Sequence, residues 1–168
     1  NTLAISGNSY VRENAYGGLL YFADGTVSGN KVLLSGGTVS GQAAGGMSFL
    51  GDAVEVLGNE ITVTGGTIEE GVYGGLAQLG GNASGNTVTI SGGTINKYVY
   101  GGSADSGTAS NNTVNIYGGT FKSDTRLYGG FSDDSSGNTL NFYTKGITVD
   151  KLGYFQHLSF YVPEDTTA

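Results

Sequence analysis

The sequence predicts an all-β fold, a right-handed parallel β-helix of about six coils with three short strands in each. Three observations carry that prediction: a repeating unit, an apolar–polar alternation inside it, and glycine pairs at fixed places. The unit is Gly85–Gly102, GNTVTISGGTINKYVYGG; it returns as Gly29–Gly46, Gly58–Gly75 and Asn111–Gly130, and is already under way at Asn1–Gly18. Its opening asparagines fall at Asn30, Asn59, Asn86, Asn112 and Asn138, in steps of 29, 27, 26 and 26 residues. A period of that size marks a solenoid, in which a repeat buries its apolar face only by stacking on its neighbours. At about 4.8 Å per coil, six coils make a rod of roughly 29 Å.

After each asparagine, apolar and polar residues alternate, the period-two mark of a strand with one buried face. Leu3 and Ile5 begin the inward series, which continues through Val32 and Leu34, Ile61 and Val63, Val88 and Ile90, Val114 and Ile116, and Leu140 and Phe142. Lys31, Leu33, Thr62, Thr64, Thr87, Thr89, Thr113 and Asn115 alternate with them and face solvent. Gly-Gly at 36–37, 65–66, 92–93 and 118–119 then turns a corner, because glycine alone takes positive φ freely. A second short strand starts at Thr38-Val39, Thr67-Ile68, Thr94-Ile95 and Thr120-Phe121. A third carries Ala15-Tyr16, Ala43-Ala44, Val72-Tyr73, Val99-Tyr100 and Leu127-Tyr128, each followed by another Gly-Gly. The step from Ile68 to Val72 and from Ile95 to Val99 is even, which keeps these residues inside and sets Tyr73 and Tyr100 outside. A loop closes each coil and shortens from residues 19–29 to 131–137. The opening asparagines should stack at one corner and hydrogen-bond along the rod. Right-handed coiling follows from the hand of parallel crossovers. A roll with two strands per turn is the competing architecture.

Residues 1–137 form the repeats, and 138–168 form an atypical last coil and C-terminal cap. There Thr144-Lys145-Gly146 replaces the glycine corner, Ile147-Thr148-Val149 and Leu158–Val162 follow, and Pro163, the single proline, ends the strand. Asn1 lies inside a repeat, so the chain reads as a piece of something longer. Its first coil would then present an open edge and favour end-to-end self-association there, with the far end blunted by Pro163, Glu164 and Asp165.

Composition narrows the function classes. A net charge of −7 with seven scattered basic residues argues against nucleic acid. No apolar run reaches the roughly 20 residues that span a bilayer, so direct membrane insertion is not expected of this chain. Without cysteine there is no disulfide framework and no thiolate metal site.

The motifs NTVTISGGTI and VYGG within 86–102, with NTLNFYTKGITVDKLGYFQHLSFYVP at 138–163, resemble the passenger region of bacterial type V autotransporters. The resemblance covers essentially the whole chain. It implies a β-helical stalk exported to the cell surface, held there through an outer-membrane barrel outside this chain. It also implies a role in adhesion, with a host or bacterial surface protein or glycan as partner and no cofactor.

The chemistry-bearing residues favour a non-catalytic reading. A β-helical polysaccharide lyase or hydrolase, the alternative, needs clustered ionisable groups on one face. Asp133-Asp134 reads as a solvated turn, Glu69 and Glu70 point to opposite faces, and His157 is the lone histidine, without a nucleophile motif around it. Calcium is not expected, since no carboxylate recurs in register. A Thr-x-Thr ice-binding lattice fails at Lys31/Leu33 and Thr113/Asn115. The candidate binding residues are aromatic. Tyr16, Tyr73, Tyr100 and Tyr128 form an outward column broken at Ala44, either a stacking device or a contact surface. Loops 19–29 and 47–58 add Leu20, Tyr21, Phe22, Phe49 and Leu50, which either contact a partner or widen the core.

Overall fold

The computed structural model describes residues 1–22, 24–51 and 53–161. Val162–Ala168 lie outside the described residues, so the expectations for Pro163, Glu164 and Asp165 fall there too. The described chain has no helix, and its strands stack in parallel as a β-solenoid of about six turns with three sheets. The first sheet is built from the segment after each asparagine: Thr2–Ile5, Lys31–Val39, Glu60–Ile68, Thr87–Ile90, Thr113–Ile116, Thr139–Phe142 and His157–Phe160. The second holds Ala15–Leu20, Ala43–Ser48, Gly71–Ala77, Tyr98–Ala104, Arg126–Phe131 and Lys151–Gly153. The third is Gly25–Ser28, Val54–Leu57, Asn82–Ser84, Thr108–Ser110 and Asp134–Ser136.

Three strands per coil is the number expected from the sequence, but the division differs. The two segments on either side of the first Gly-Gly belong to one sheet, and the third sheet lies in the expected closing loop. At the corner Gly66 takes φ 82°. Even so, Lys31–Val39 stays paired with Glu60–Ile68 from end to end, with register shifts around Ser35. In these two coils the glycines bend a continuous ladder without ending it, while in later coils they divide it into two short strands of the same sheet, as at Thr87–Ile90 and Thr94–Ile95. The third sheet had its own signal, an apolar residue two places before the glycine or asparagine that precedes Asn30, Asn59, Asn86 and Asn112: Val27, Val56, Ala83 and Ala109, at most 6% exposed.

Register delivers the core. Leu34, Val63, Ile90 and Ile116 align one above another, as do Val32, Ile61, Val88 and Val114. Ala43, Val72, Val99 and Leu127 face them from the second sheet and complete the main core cluster. Burying each Val, Leu or Ile stabilises the coil by about 1.5–3 kcal/mol. A second, narrower cluster joins Val27, Val54, Val56, Ala83 and Ala109 of the third sheet to Ala77 and Ala104 of the second. Ser48 pairs with Ala77 in register and is fully buried, and its Oγ has no hydrogen-bond partner among the described residues.

The asparagines run through the molecule as one hydrogen-bonded line. Asn30 Nδ2 donates to Asn59 Oδ1 at 2.9 Å, and Asn59, Asn86 and Asn112 each donate to the next in turn at 3.1 Å. Each of these oxygens also accepts the backbone N–H of the preceding asparagine, at 2.9–3.0 Å. The second amide hydrogen goes to the third sheet: Asn59, Asn86, Asn112 and Asn138 donate to the carbonyls of Val27, Val56, Ala83 and Ala109. These side chains are at most 5% exposed, and Asn59, Asn86 and Asn112 use the full hydrogen-bonding capacity of the amide. The second residue of the second glycine pair leaves room for this line. A Cβ on Gly75 would stand 2.5 Å from the Asn86 amide nitrogen, and one on Gly102 the same distance from that of Asn112.

The coil that starts at Asn138 omits the third sheet. Ile147-Thr148-Val149 forms no strand; Ile147 and Val149 pack, half-buried, against the main core. The chain then returns to the first sheet with His157–Phe160 paired on Thr139–Phe142. Gln156, 18 residues after Asn138, takes the place of the next asparagine: its Oε1 accepts the Asn138 N–H at 2.8 Å, and its Nε2 donates to the Ser135 carbonyl. Leu158 and Phe160 continue the inward columns yet are 49% and 63% exposed, because no described strand lies beyond them.

Four substitutions test this account by urea denaturation. Val88→Asp places a charge in the core and should cost more than about 3 kcal/mol, whereas Thr89→Asp, facing outward, should stay within about 0.5 kcal/mol. Equal losses would mean that the facing is wrong. Asn86→Ala strips the acceptor from two buried N–H groups of Asn59 and should cost about 2–5 kcal/mol; a loss below about 1 kcal/mol would show that the line is decorative. Ser48→Ala should raise stability by about 1 kcal/mol, since it removes a buried hydroxyl without a partner and matches Ala77 beside it.

Candidate binding groove on the outer face

The outer face of the second sheet is shaped by the glycine pairs. Within Gly71–Ala77, Val72 enters the main core and Ala77 the narrow one, while Tyr73 and Leu76, on either side of Gly74-Gly75, pack into one cluster outside. Tyr73, Tyr100 and Tyr128 stack there with centroid distances of 4.8 and 5.1 Å. Their outward facing agrees with the sequence reading, and of its two alternatives the stacking device is the one the geometry displays. They are 8%, 9% and 5% exposed. Each ring is covered by the ring of the next coil, with Leu76, Tyr98 and Phe131 packed alongside. Burial pushes the Tyr73 and Tyr100 phenols well above the usual tyrosine range, since a phenolate there would lose its hydration.

The stack does not fill the whole face. Register places Tyr16, Ala44 and Tyr73 in one column, so the second coil contributes a methyl group where its neighbours contribute rings. Over these first three coils lies an open groove of about 590 Å³. Tyr16, Leu19 and Met47 line it from the outer face of the sheet; Glu13, Asn14, Gln42 and Glu70 come from the approaches to the strands, and Tyr21, Phe49 and Gln78 from their exits. Asn14 Oδ1 accepts the Gln42 backbone N–H at 2.8 Å, which ties the first two coils together at the rim. Glu70 pairs with Lys97 Nζ at 2.6 Å, while Glu13 is in no ion pair among the described residues. Burial also raises the Tyr16 phenol above its ordinary range.

Tyr21, Phe22 and Phe49, from the two long loops, come together at the exit rim. Tyr21 stacks on Phe49 at 4.8 Å and 12°, and Phe22 meets Tyr21 edge-on at 4.4 Å. Tyr21 and Phe22 remain 54% and 68% exposed, and Phe22 holds φ 58°, a conformation uncommon for a bulky residue. Leu20 behaves differently and packs against the narrow core. The loop thus divides between core and surface at a single residue boundary.

The remaining candidates lie elsewhere. Glu69 is exposed and Glu70 is half-exposed in its ion pair, so neither turns inward as the opposite-face reading allowed. His157 is exposed on the first sheet, in register with Thr139. Asp105 and Asp133 share a small pocket of about 180 Å³ with Phe131 and Tyr154. Among the described residues, no three His, Asp or Glu side chains are placed to hold one metal ion. One exposed aromatic column went unpredicted: Tyr117, Tyr143 and Tyr161 stack on the outside of the first sheet at 4.2 and 4.8 Å. Its signal was the tyrosine after each inward Ile116, Phe142 and Phe160. The polar groove residues Glu13, Asn14, Gln42 and Gln78 gave no such signal, because they converge only across coils.

No protein-family model, no curated protein and no solved structure matches this chain.

The buried phenols give stability an alkaline limit. Their folded pKa values lie above those of the unfolded chain, so the unfolded state releases protons first as pH rises. Stability should therefore be full below about pH 10 and fall above it. Urea midpoints between pH 8 and 11 should show the fall, and Tyr100→Phe should flatten it. An identical slope in the variant would remove Tyr100 as a source.

Proposed function

We propose that this chain is a β-helical stalk segment of a bacterial type V autotransporter passenger, displayed extracellularly at the outer membrane, that adheres through its outer face without catalysis. The solenoid supports the stalk reading: stacked coils locked by buried amides make a stiff element whose length follows the number of repeats. One observation carries the adhesive reading. Tyr21 and Phe22, both exposed, form a ring cluster with half-buried Phe49 on the rim of the large groove on the second sheet, and the core makes no use of Tyr21 and Phe22. Aromatic side chains of this kind supply much contact area at little entropic cost and are favoured in interfaces.

A β-helical polysaccharide lyase or hydrolase is the second reading. The observation on its side is that two carboxylates, Glu13 and Glu70, line the same groove. Glu70 is already committed to Lys97, which favours the binding reading over paired acid–base chemistry.

Replacing Tyr21 and Phe22 together by Ser tests the proposal. Cell binding by the displayed chain should drop about tenfold or more, with the melting temperature unchanged. A lower melting temperature with binding intact would make the rings structural and overturn the assignment. Polysaccharide turnover that is abolished by Glu13→Gln would instead establish the enzyme.

A further inference from the structure

Resting on the adhesive reading, we propose that the groove is a carbohydrate site that takes neutral or amino sugars and rejects acidic ones. Its lining is amphipathic in the manner sugars require. Tyr16, Tyr21 and Phe49 offer ring surface to the apolar C–H face of a pyranose, and Met47 and Leu19 extend that surface along the floor. Gln42 and Gln78 bring primary amides to opposite rims, each able to donate and accept at once, as pairs of sugar hydroxyls do. Neither side-chain amide has a partner among the described hydrogen bonds, so both are open to a ligand. At about 590 Å³ the groove has the volume of a small-ligand site, large enough for a short oligosaccharide.

The charge pattern sets the selectivity. No Lys, Arg or His lines the groove, whereas Glu13 and Glu70 both do. A sialylated or uronic-acid glycan would bring its carboxylate against Glu13, while Lys97 beside the groove is already held by Glu70 at 2.6 Å, within a chain of net charge −7. A protonated amino sugar gains on both counts, from the Glu13 carboxylate and from the faces of the rim aromatics. The groove is placed by the Ala44 interruption of the tyrosine column; in the coils beyond it, stacked rings occupy the same face.

The experiment is calorimetric titration of the full chain with three oligosaccharides of similar length: an N-acetylglucosamine oligomer, a glucosamine oligomer, and a sialylated lactose. The first two should bind, the glucosamine oligomer more tightly at low salt, and the sialylated sugar at least about tenfold more weakly than either. Tyr21→Ser should weaken binding of both by about tenfold. Glu13→Gln, at an exposed rim position, should abolish the preference for the glucosamine oligomer over the N-acetylglucosamine oligomer; a preference that survives would remove Glu13 as its source. Equal or tighter binding of the sialylated sugar would overturn the proposal, as would unchanged affinity in Tyr21→Ser. If none of the three sugars binds while the chain still adheres to cells, this inference fails and the adhesive reading stands. If cell adhesion is absent as well, both fail.

Discussion

The buried line of asparagine amides is the constraint on which the rest of the structure depends. A parallel solenoid already pairs its backbone groups within the sheets, but its corners leave N–H and carbonyl groups facing an apolar lumen. One asparagine per coil meets that need in three directions at once. It receives from the coil before, gives to the coil after, and reaches across to a third-sheet carbonyl. An unpaired polar group in that lumen would cost more than a hydrogen bond gains, so the line tolerates no missing member. Gln156 shows how strict the need is: where the last coil drops its third strand, a longer amide keeps both the acceptor and the donor in place.

The shape of the outer surface follows from the same line. The amides lie so close to the second sheet that the residues passing them must be glycine, as Gly75 does beside Asn86. Tyr73 and Leu76 flank that glycine pair on the outside and pack into one cluster there. Where every coil supplies a ring, the outer face is a stacked aromatic layer closed to solvent. Where Ala44 supplies only a methyl group, the face stays open as a groove. A hydrogen-bond requirement inside the coil thus shapes the binding surface outside it.

The groove's chemistry is set by residues that have no structural duty of this kind. Glu13, Gln42 and Gln78 sit at strand approaches and exits, and Tyr21 and Phe22 sit on a loop whose preceding residue, Leu20, does the core packing. Loops in solenoids are free to vary because the stacking ladder does not run through them. Surface ion pairs such as Lys31 with Glu60, Lys97 with Glu70 and Arg126 with Asp150 join neighbouring coils but are exposed, and such pairs add little to stability. Only Lys97–Glu70 involves a residue that lines the groove.

By itself the sequence determined the solenoid, its period, the inward columns, the asparagine line and the facing of Val72 against Tyr73. All of these are consequences of spacing: a side-chain period of two and a repeat that returns each residue to its own column are visible without coordinates. Tertiary structure alone decided three other matters. The first glycine pair bends a sheet without ending it, because the ladder between the second and third coils continues through the bend. Tyr73, Tyr100 and Tyr128 point outward yet are buried, because rings stacked at the spacing of the coils cover one another. The groove gathers Glu13, Gln42 and Gln78 from three successive coils, residues that share no motif and meet only once the coils are stacked. Direction is a property of the strand and can be read along the chain; exposure and convergence depend on what the neighbouring coils place above and below.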